Sequence, residues 1–170
     1  MMLHGQDIVR NFALWIDGRG KAGNTENTKL PTLELKTEEF RAGGMDAPVD
    51  IEMGMNKLEA SFTLTQFSQD VLNLWGLKTG ISIPLTLRAA AESEFGGVTP
   101  IEARLWGKVI KLDPSEFKAG ESTKLELMMN VSRYELRIGG DLVHLIDIPN
   151  YIRIINGFDQ LAATRLALGL

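Results

Sequence analysis

Residues 33–64 read LELKTEEFRAGGMDAPVDIEMGMNKLEASFTL. Apolar and polar side chains alternate from Leu33 through Glu34, Leu35, Lys36 and Thr37 to Glu38, the period of a half-exposed strand. The alternation stops at Arg41, Ala42, Gly43, Gly44, Met45, Asp46, Ala47 and Pro48, where two glycines and a proline spell a loop. It resumes from Val49 to Met55 and again from Leu58 to Leu64. Two alternating arms around a Gly-rich loop predict a long β-hairpin, with the arm spanning about 30–65.

Outward from that segment, strand signals dominate. Residues 11–17 (NFALWID) form an apolar, β-prone run that ends on the turn signal Gly18-Arg19-Gly20. Residues 21–28 are polar and read as a loop. Further strands are expected at 82–88, 101–112, 124–131, 133–138 and 142–148. They are separated by Gly96-Gly97, Asp113-Pro114 and Gly139-Gly140, the last with Asp141 being a tight-hairpin signal. The period changes only at 68–77, where Val71, Leu74 and Trp75 fall at i, i+3 and i+4. A short helix is expected there, with Ser68 as its N-cap and Gly76 as its stop. A second helix is expected at 159–168, which is rich in Ala and Leu. About eight strands and two short helices in a single domain spanning 1–170 predict a mainly β fold, a sandwich or barrel with a long hairpin.

Composition narrows the function. The 170-residue chain is 44% apolar and 24% charged, which is ordinary globular composition with enough length for a core. The formal charge is −4 and Lys/Arg clusters are absent, whereas a DNA-gripping protein carries a basic face. With no cysteine and only two histidines, His4 and His144, far apart in sequence, no metal site is expected. No apolar run approaches the roughly 20 residues of a membrane span, and the N-terminus lacks a secretory-signal pattern. Membrane anchoring is not expected.

Catalytic motifs are missing as well. The sequence holds no GxSxG, GxxxxGK[ST], HExxH or GxGxxG after a strand. His144 and Asp147 lie three apart in a strand and therefore face opposite sides, so they cannot orient each other as base and partner. The pairs Glu38-Glu39 and Glu92/Glu94 read as solvated faces. Trp15, Trp75 and Trp106 read as core or interface packing. Neither an enzyme nor a cofactor is expected.

The hairpin remains. Its arms carry Glu34, Lys36 and Glu38 on one side of the loop and Asp50, Glu52 and Glu59 on the other. The exposed edges of such a hairpin template further pairing. Pairing them with neighbouring subunits closes a ring; folding back over the chain's own core is the other solution.

Residues 40–54 (FRAGGMDAPVDIEMG) resemble the central segment of major tail tube proteins of contractile phages of the P2 type and of R-type pyocins. Residues 11–18 are similar to that family's opening strand. Ile146-Asp147, residues 155–161 (INGFDQL) and the final Leu168-Gly169-Leu170 are similar to its C-terminal signature. Asp113-Pro114 and residues 118–121 look like the pyocin version, and the stretch 76–100 departs most. The resemblance implies hexameric rings whose strands join into one inner barrel, stacked into a hollow tube. It also implies a contractile sheath, baseplate and tail terminator proteins, and a tape measure protein. In a phage, DNA passes through the lumen. Such a subunit belongs to the virion tail or a tailocin and is made in the host cytoplasm. The loop from Arg41 to Val49 would lie at the ring-to-ring contact, and Glu34, Lys36, Glu38, Asp50, Glu52 and Glu59 are candidates to face the lumen. A type VI secretion-like ring protein and a lone ligand-binding β-barrel are the alternatives.

Overall fold

The computed structural model describes residues 7–21, 23–94 and 96–170. His4 and most of the N-terminal stretch read for a signal lie outside them. The backbone is built on a bent ten-stranded antiparallel sheet, a separate two-stranded sheet and two short helices. The path of the large sheet runs β12 (Phe158–Asp159), β11 (Ile152–Ile155), β10 (Asp141–Asp147), β9 (Leu125–Ile138), β8 (Val98–Pro114), β7 (Ile83–Ser93), β1 (Asp7–Ile16) and β2 (Arg19–Gly20). Off this path, β6 (Leu58–Leu64) pairs with β9 and with β3 (Thr25–Lys29).

β9 explains the shape. Its first half, Leu125–Val131, pairs with β6, and its second half pairs with β10. The long β8–β9 ribbon is therefore shared by two layers that fold toward each other. The corner is made by a bulge. Trp106 pairs with Arg133 and Gly107 with Val131, so Ser132 is the extra residue. Its hydroxyl donates to the Trp106 carbonyl at 3.1 Å, and its own carbonyl accepts the Ile148 amide at 2.9 Å. The extra residue shifts the alternation. Leu125, Leu127, Met129 and Val131 are buried before it, and Tyr134 is buried after it. A Cβ on Gly107 would stand 2.1 Å from the Asn130 carbonyl oxygen, so only glycine lets the two backbones approach this closely.

The core fills the space between the layers. β6 contributes Leu58, Ala60, Phe62 and Leu64; β7 contributes Ile83, Leu85 and Leu87; β1 contributes Leu14 and Ile16. Strict alternation of buried and half-buried residues along β6 is what its sequence predicts. The Leu, Ile and Phe side chains among these each contribute about 1.5–3 kcal/mol on full burial.

Several elements differ from the sequence reading. Residues 25–28, expected as part of the loop 21–28, form with Lys29 the strand β3, because a neighbouring backbone ladder on β6 outweighs weak side-chain preference. The two strands expected at 124–131 and 133–138 are one strand interrupted by the Ser132 bulge. Asp113-Pro114 ends β8 instead of making a turn. The short strands β11 and β12 were not foreseen. The helix expected at 68–77 shrinks to α1 (Gln69–Leu72). Ser68 has the extended backbone of an N-cap but makes no side-chain capping bond. Its Oγ instead accepts from Lys21 Nζ at 3.2 Å, and Lys21 also holds Asp70 at 2.7 Å. Gly76 takes a positive φ of 77° and ends the segment. Trp75 is bridged to Val109 and donates its Nε1 proton to the Ile110 carbonyl at 3.3 Å, which docks the segment on β8. The second helix, α2, spans Ala162–Leu168. The turn at Gly139-Gly140 has positive φ at both residues, the geometry of a two-residue hairpin.

Candidate assembly surface

The strands β4 (Leu35–Phe40) and β5 (Val49–Met55) pair with each other and with no other described strand. Every residue of β4, and all of β5 except the half-buried Met55, is exposed. The paired arm is shorter than the expected 30–65, because the alternating run at 58–64 leaves it and enters the core as β6.

Register settles which side chains share a face. Phe40 pairs with Val49, Glu39 with Asp50, Glu38 with Ile51 and Thr37 with Glu52. Paired residues lie on the same side of a sheet and successive residues alternate. Phe40, Val49, Glu38, Ile51, Lys36 and Met53 thus share one face. Glu39, Asp50, Thr37 and Glu52 share the other. The sequence grouped Lys36 and Glu38 with Asp50 and Glu52, and the pairing separates them. Charge alternation alone gives each strand's pleat but not the offset between strands. A bulge between Leu35 and Thr37, opposite Gly54 at φ 98°, shifts the pairing at the base. Glu34 precedes β4 and accepts from Asn56 Nδ2 at 2.9 Å. Glu59 stands on β6, half-buried, 2.6 Å from Lys57.

The apolar side of the hairpin is bare. Phe40, Val49, Ile51 and Met53 are between 45% and 52% exposed, which is high for side chains on one face of a sheet. The loop closes on itself: the Met45 amide donates to the Ala42 carbonyl at 3.2 Å, and Arg41 Nε donates to the Met45 carbonyl at 3.3 Å. Gly44 has φ 92°, whereas Gly43 is outside the left-handed region, and within this chain nothing approaches a Cβ built on either. Met45 is half-buried, and Asp46, Ala47 and Pro48 complete the exposed tip.

One ion pair ties the arm to the body. Arg153 Nη1 on β11 donates to Glu52 Oε1 at 2.6 Å. The residues are 101 positions apart, so no local signal reveals it. Beside it lies an open groove of about 910 Å3 between the base of β5, the residues before β7, the β8–β9 corner and the β10–β11 turn. Ile81, Ile148 and Tyr151 line it and are about half exposed.

The outer side of the large sheet is charged and self-compensated. Arg104 Nε holds Glu102 at 2.7 Å and Arg88 reaches it at 3.5 Å. The Arg104 hydrogen bond, reinforced by both guanidinium charges, keeps the Glu102 carboxyl below the usual range. Arg137 holds the buried Glu135 at 2.6 Å, and Arg133 lies 4.7 Å over the Trp106 ring. Near the C-terminal helix, Arg165 binds Asp159 at 2.5 Å and holds its carboxyl low. His144 and Asp147 do not meet: Asp147 accepts from Asn150 and lies 3.7 Å from Arg133. Among the described residues no group of three or more His, Asp or Glu is placed to hold a metal.

Comparison with known proteins agrees with this architecture. The chain is 28% identical over 163 residues to the tail tube protein of Escherichia phage P2, covering 92% of this chain and 94% of that protein. It is 27% identical over 148 residues to the major tail tube protein of Serratia phage KSP20, covering 85% and 84%. Its fold is similar to a chain in the sheath–tube complex of an extracellular contractile injection system, with TM-score 0.60 at 12% identity, over 78% of this chain and 91% of that one. It is also similar to a chain in the tube-terminating cap of the anti-feeding prophage, with TM-score 0.62 at 10% identity, over 81% and 94%. The phage tail tube protein FII family matches residues 6–169. The chain belongs to that family, and is a structural subunit of a contractile tail tube, not an enzyme.

Proposed function

We propose that six copies form a ring and that the rings stack head to tail into a hollow tube, with the β4–β5 hairpin as the joining element. The observation that carries this is the hairpin itself, a two-stranded sheet with apolar side chains in solvent and no described strand beside it. Two-stranded sheets are marginal alone and gain stability by adding a partner. Heterologous contacts that close give rings, and those that repeat along an axis give filaments. The loop from Arg41 to Val49 contacts the next ring. The sheath, terminator and baseplate are the partners in the particle, and a tape measure protein fits within the lumen. The fold shared with chains of a sheath–tube complex and a tube cap supports this reading.

Among the candidate lumen residues, Asp50 lies on the more acidic face of the hairpin together with Glu39, which the sequence did not single out for the lumen, since Lys36 and Glu38 offset each other on the other face. We assign Glu39 and Asp50, which lie nearer the hairpin tip than the Glu52–Arg153 tie to the body, to the lumen wall, where carboxylates within a Debye length of about 8 Å keep DNA phosphates from adhering. Replacing both with Lys leaves tubes intact and slows DNA delivery; unchanged delivery would place these side chains elsewhere. Negative-stain electron microscopy of the purified chain over a concentration series tests the assembly. Six-fold rings or hollow filaments of even diameter are expected. A monomer at every concentration would overturn self-assembly through the hairpin.

A further inference from the structure

We infer that Met53 is an oxidation site, at which a peroxide converts the free subunit into a form that does not join the tube. The inference rests on the proposed assembly and adds a chemical control to it. Three of the chain's seven methionines, Met45, Met53 and Met55, lie in the hairpin. Their sulfurs stand in different surroundings. Met53 is 52% exposed on the face it shares with Phe40, Val49 and Ile51. Met45 is half-buried, and its Sδ accepts the Ala42 amide at 3.2 Å. Met55 is half-buried against the core. On β9, Met128 is half-buried and Met129 is 1% exposed.

Access and a free lone pair decide which thioether reacts first. A sulfur lone pair attacks one oxygen of hydrogen peroxide, and the O–O bond breaks as the S–O bond forms. The sulfur is oxidised by two electrons to the sulfoxide. The peroxide is reduced to water, because the proton of the transferred oxygen moves to the departing one. Met53 is open to that attack from solvent. At Met45 the Ala42 N–H already occupies the sulfur. At Met129 the reagent must wait for the sheet to open.

Among Phe40, Val49, Ile51 and Met53, the apolar side chains of the bare face, only Met53 carries a sulfur. Its sulfoxide replaces a flexible apolar group with a polar one. Burying that group in a contact without a hydrogen-bond partner is unfavourable. The subunit's own fold is spared, since Met53 stands outside the buried core. Assembly and oxidation therefore exclude each other: a covered face hides the sulfur, and an oxidised sulfur keeps the face in water. Reduction of the sulfoxide restores the thioether, so the block is reversible.

Free subunits are treated with hydrogen peroxide, quenched, mapped by peptide mass spectrometry and scored for rings and tubes in negative stain. Met53 should be oxidised on the order of tenfold faster than Met45 and Met129. Tube formation should fall in proportion to the Met53 sulfoxide and return after treatment with methionine sulfoxide reductases and a dithiol. Preformed tubes at the same dose should keep Met53 reduced. Met53→Leu, scored only as the ratio of tubes after and before peroxide, should keep that ratio unchanged. Three results would each overturn the inference while leaving tube assembly standing: oxidised subunits that assemble normally, a Met53 that reacts no faster than Met129, or a Met53→Leu ratio that falls as in wild type. Untreated wild-type chains that never form rings overturn both.

Discussion

The β8–β9 ribbon and the β4–β5 hairpin are both antiparallel pairs with alternating sequence, yet they live in different solvents. The ribbon buries Ala103, Leu105, Val109 and four inward residues of the first half of β9 against β6, β7 and β1. The hairpin buries no side chain completely. Alternation specifies a pleat with two unlike faces; it does not specify what covers the apolar one. For the ribbon the cover is in the same chain. For the hairpin, under the proposed assembly, it is a neighbouring copy. A substitution in the ribbon should therefore appear as lost folding stability, and one in the hairpin as lost association.

The sharpest break of this contrast is at the corner. Gly107→Ala would set a methyl against the Asn130 carbonyl, and backbone on both sides must move. We expect a loss of about 3 kcal/mol or more in denaturant unfolding, the range of severe overpacking. A loss under about 0.5 kcal/mol would show that the corner is soft. Phe62→Ala, in the fully buried row of β6, should cost about 3–5 kcal/mol by cavity formation.

At the hairpin tip the signs separate. Gly43→Val with Gly44→Val should cost about 1–2 kcal/mol of stability, nearly all from the positive φ at Gly44. Rings and tubes should nevertheless disappear. Normal tubes in negative stain would remove the tip from the ring contact. Weaker again is the tie between arm and body. Arg153→Ala and Glu52→Gln should each shift stability by under about 1 kcal/mol, as half-exposed ion pairs do, with a double-mutant cycle reading the coupling. A larger loss in assembly than in stability would show that the pair sets the angle of the arm.

The smallest effect concerns pH. Glu102 is held low in the folded chain, so its contribution is present above the usual carboxylate range and fades as pH falls through and below it. Glu102→Gln should flatten that acid-side loss by well under about 1 kcal/mol, since the pair is solvent-screened. An unchanged pH profile would mean that Arg104 and Arg88 hold Glu102 equally in the unfolded chain.

Local chemistry determined much of this protein. Pleat period gave the strands from Leu58 to Leu64 and from Val49 to Met55, and paired glycines gave the turns at Gly96-Gly97 and Gly139-Gly140. These features depend on neighbours in sequence, where backbone and side-chain preferences act directly. The run at 40–54 also carried the family resemblance. Other features needed the tertiary structure. The polar run at 25–29 became a strand because β6 offered it a ladder, and Ser132 became a bulge because β9 changes partner there. The offset between β4 and β5 split the candidate lumen residues across two faces, and the groove joined Ile81 to Ile148 across 67 positions. Each of these is set by pairing between distant segments, whose energy has no counterpart in the residues of either segment alone.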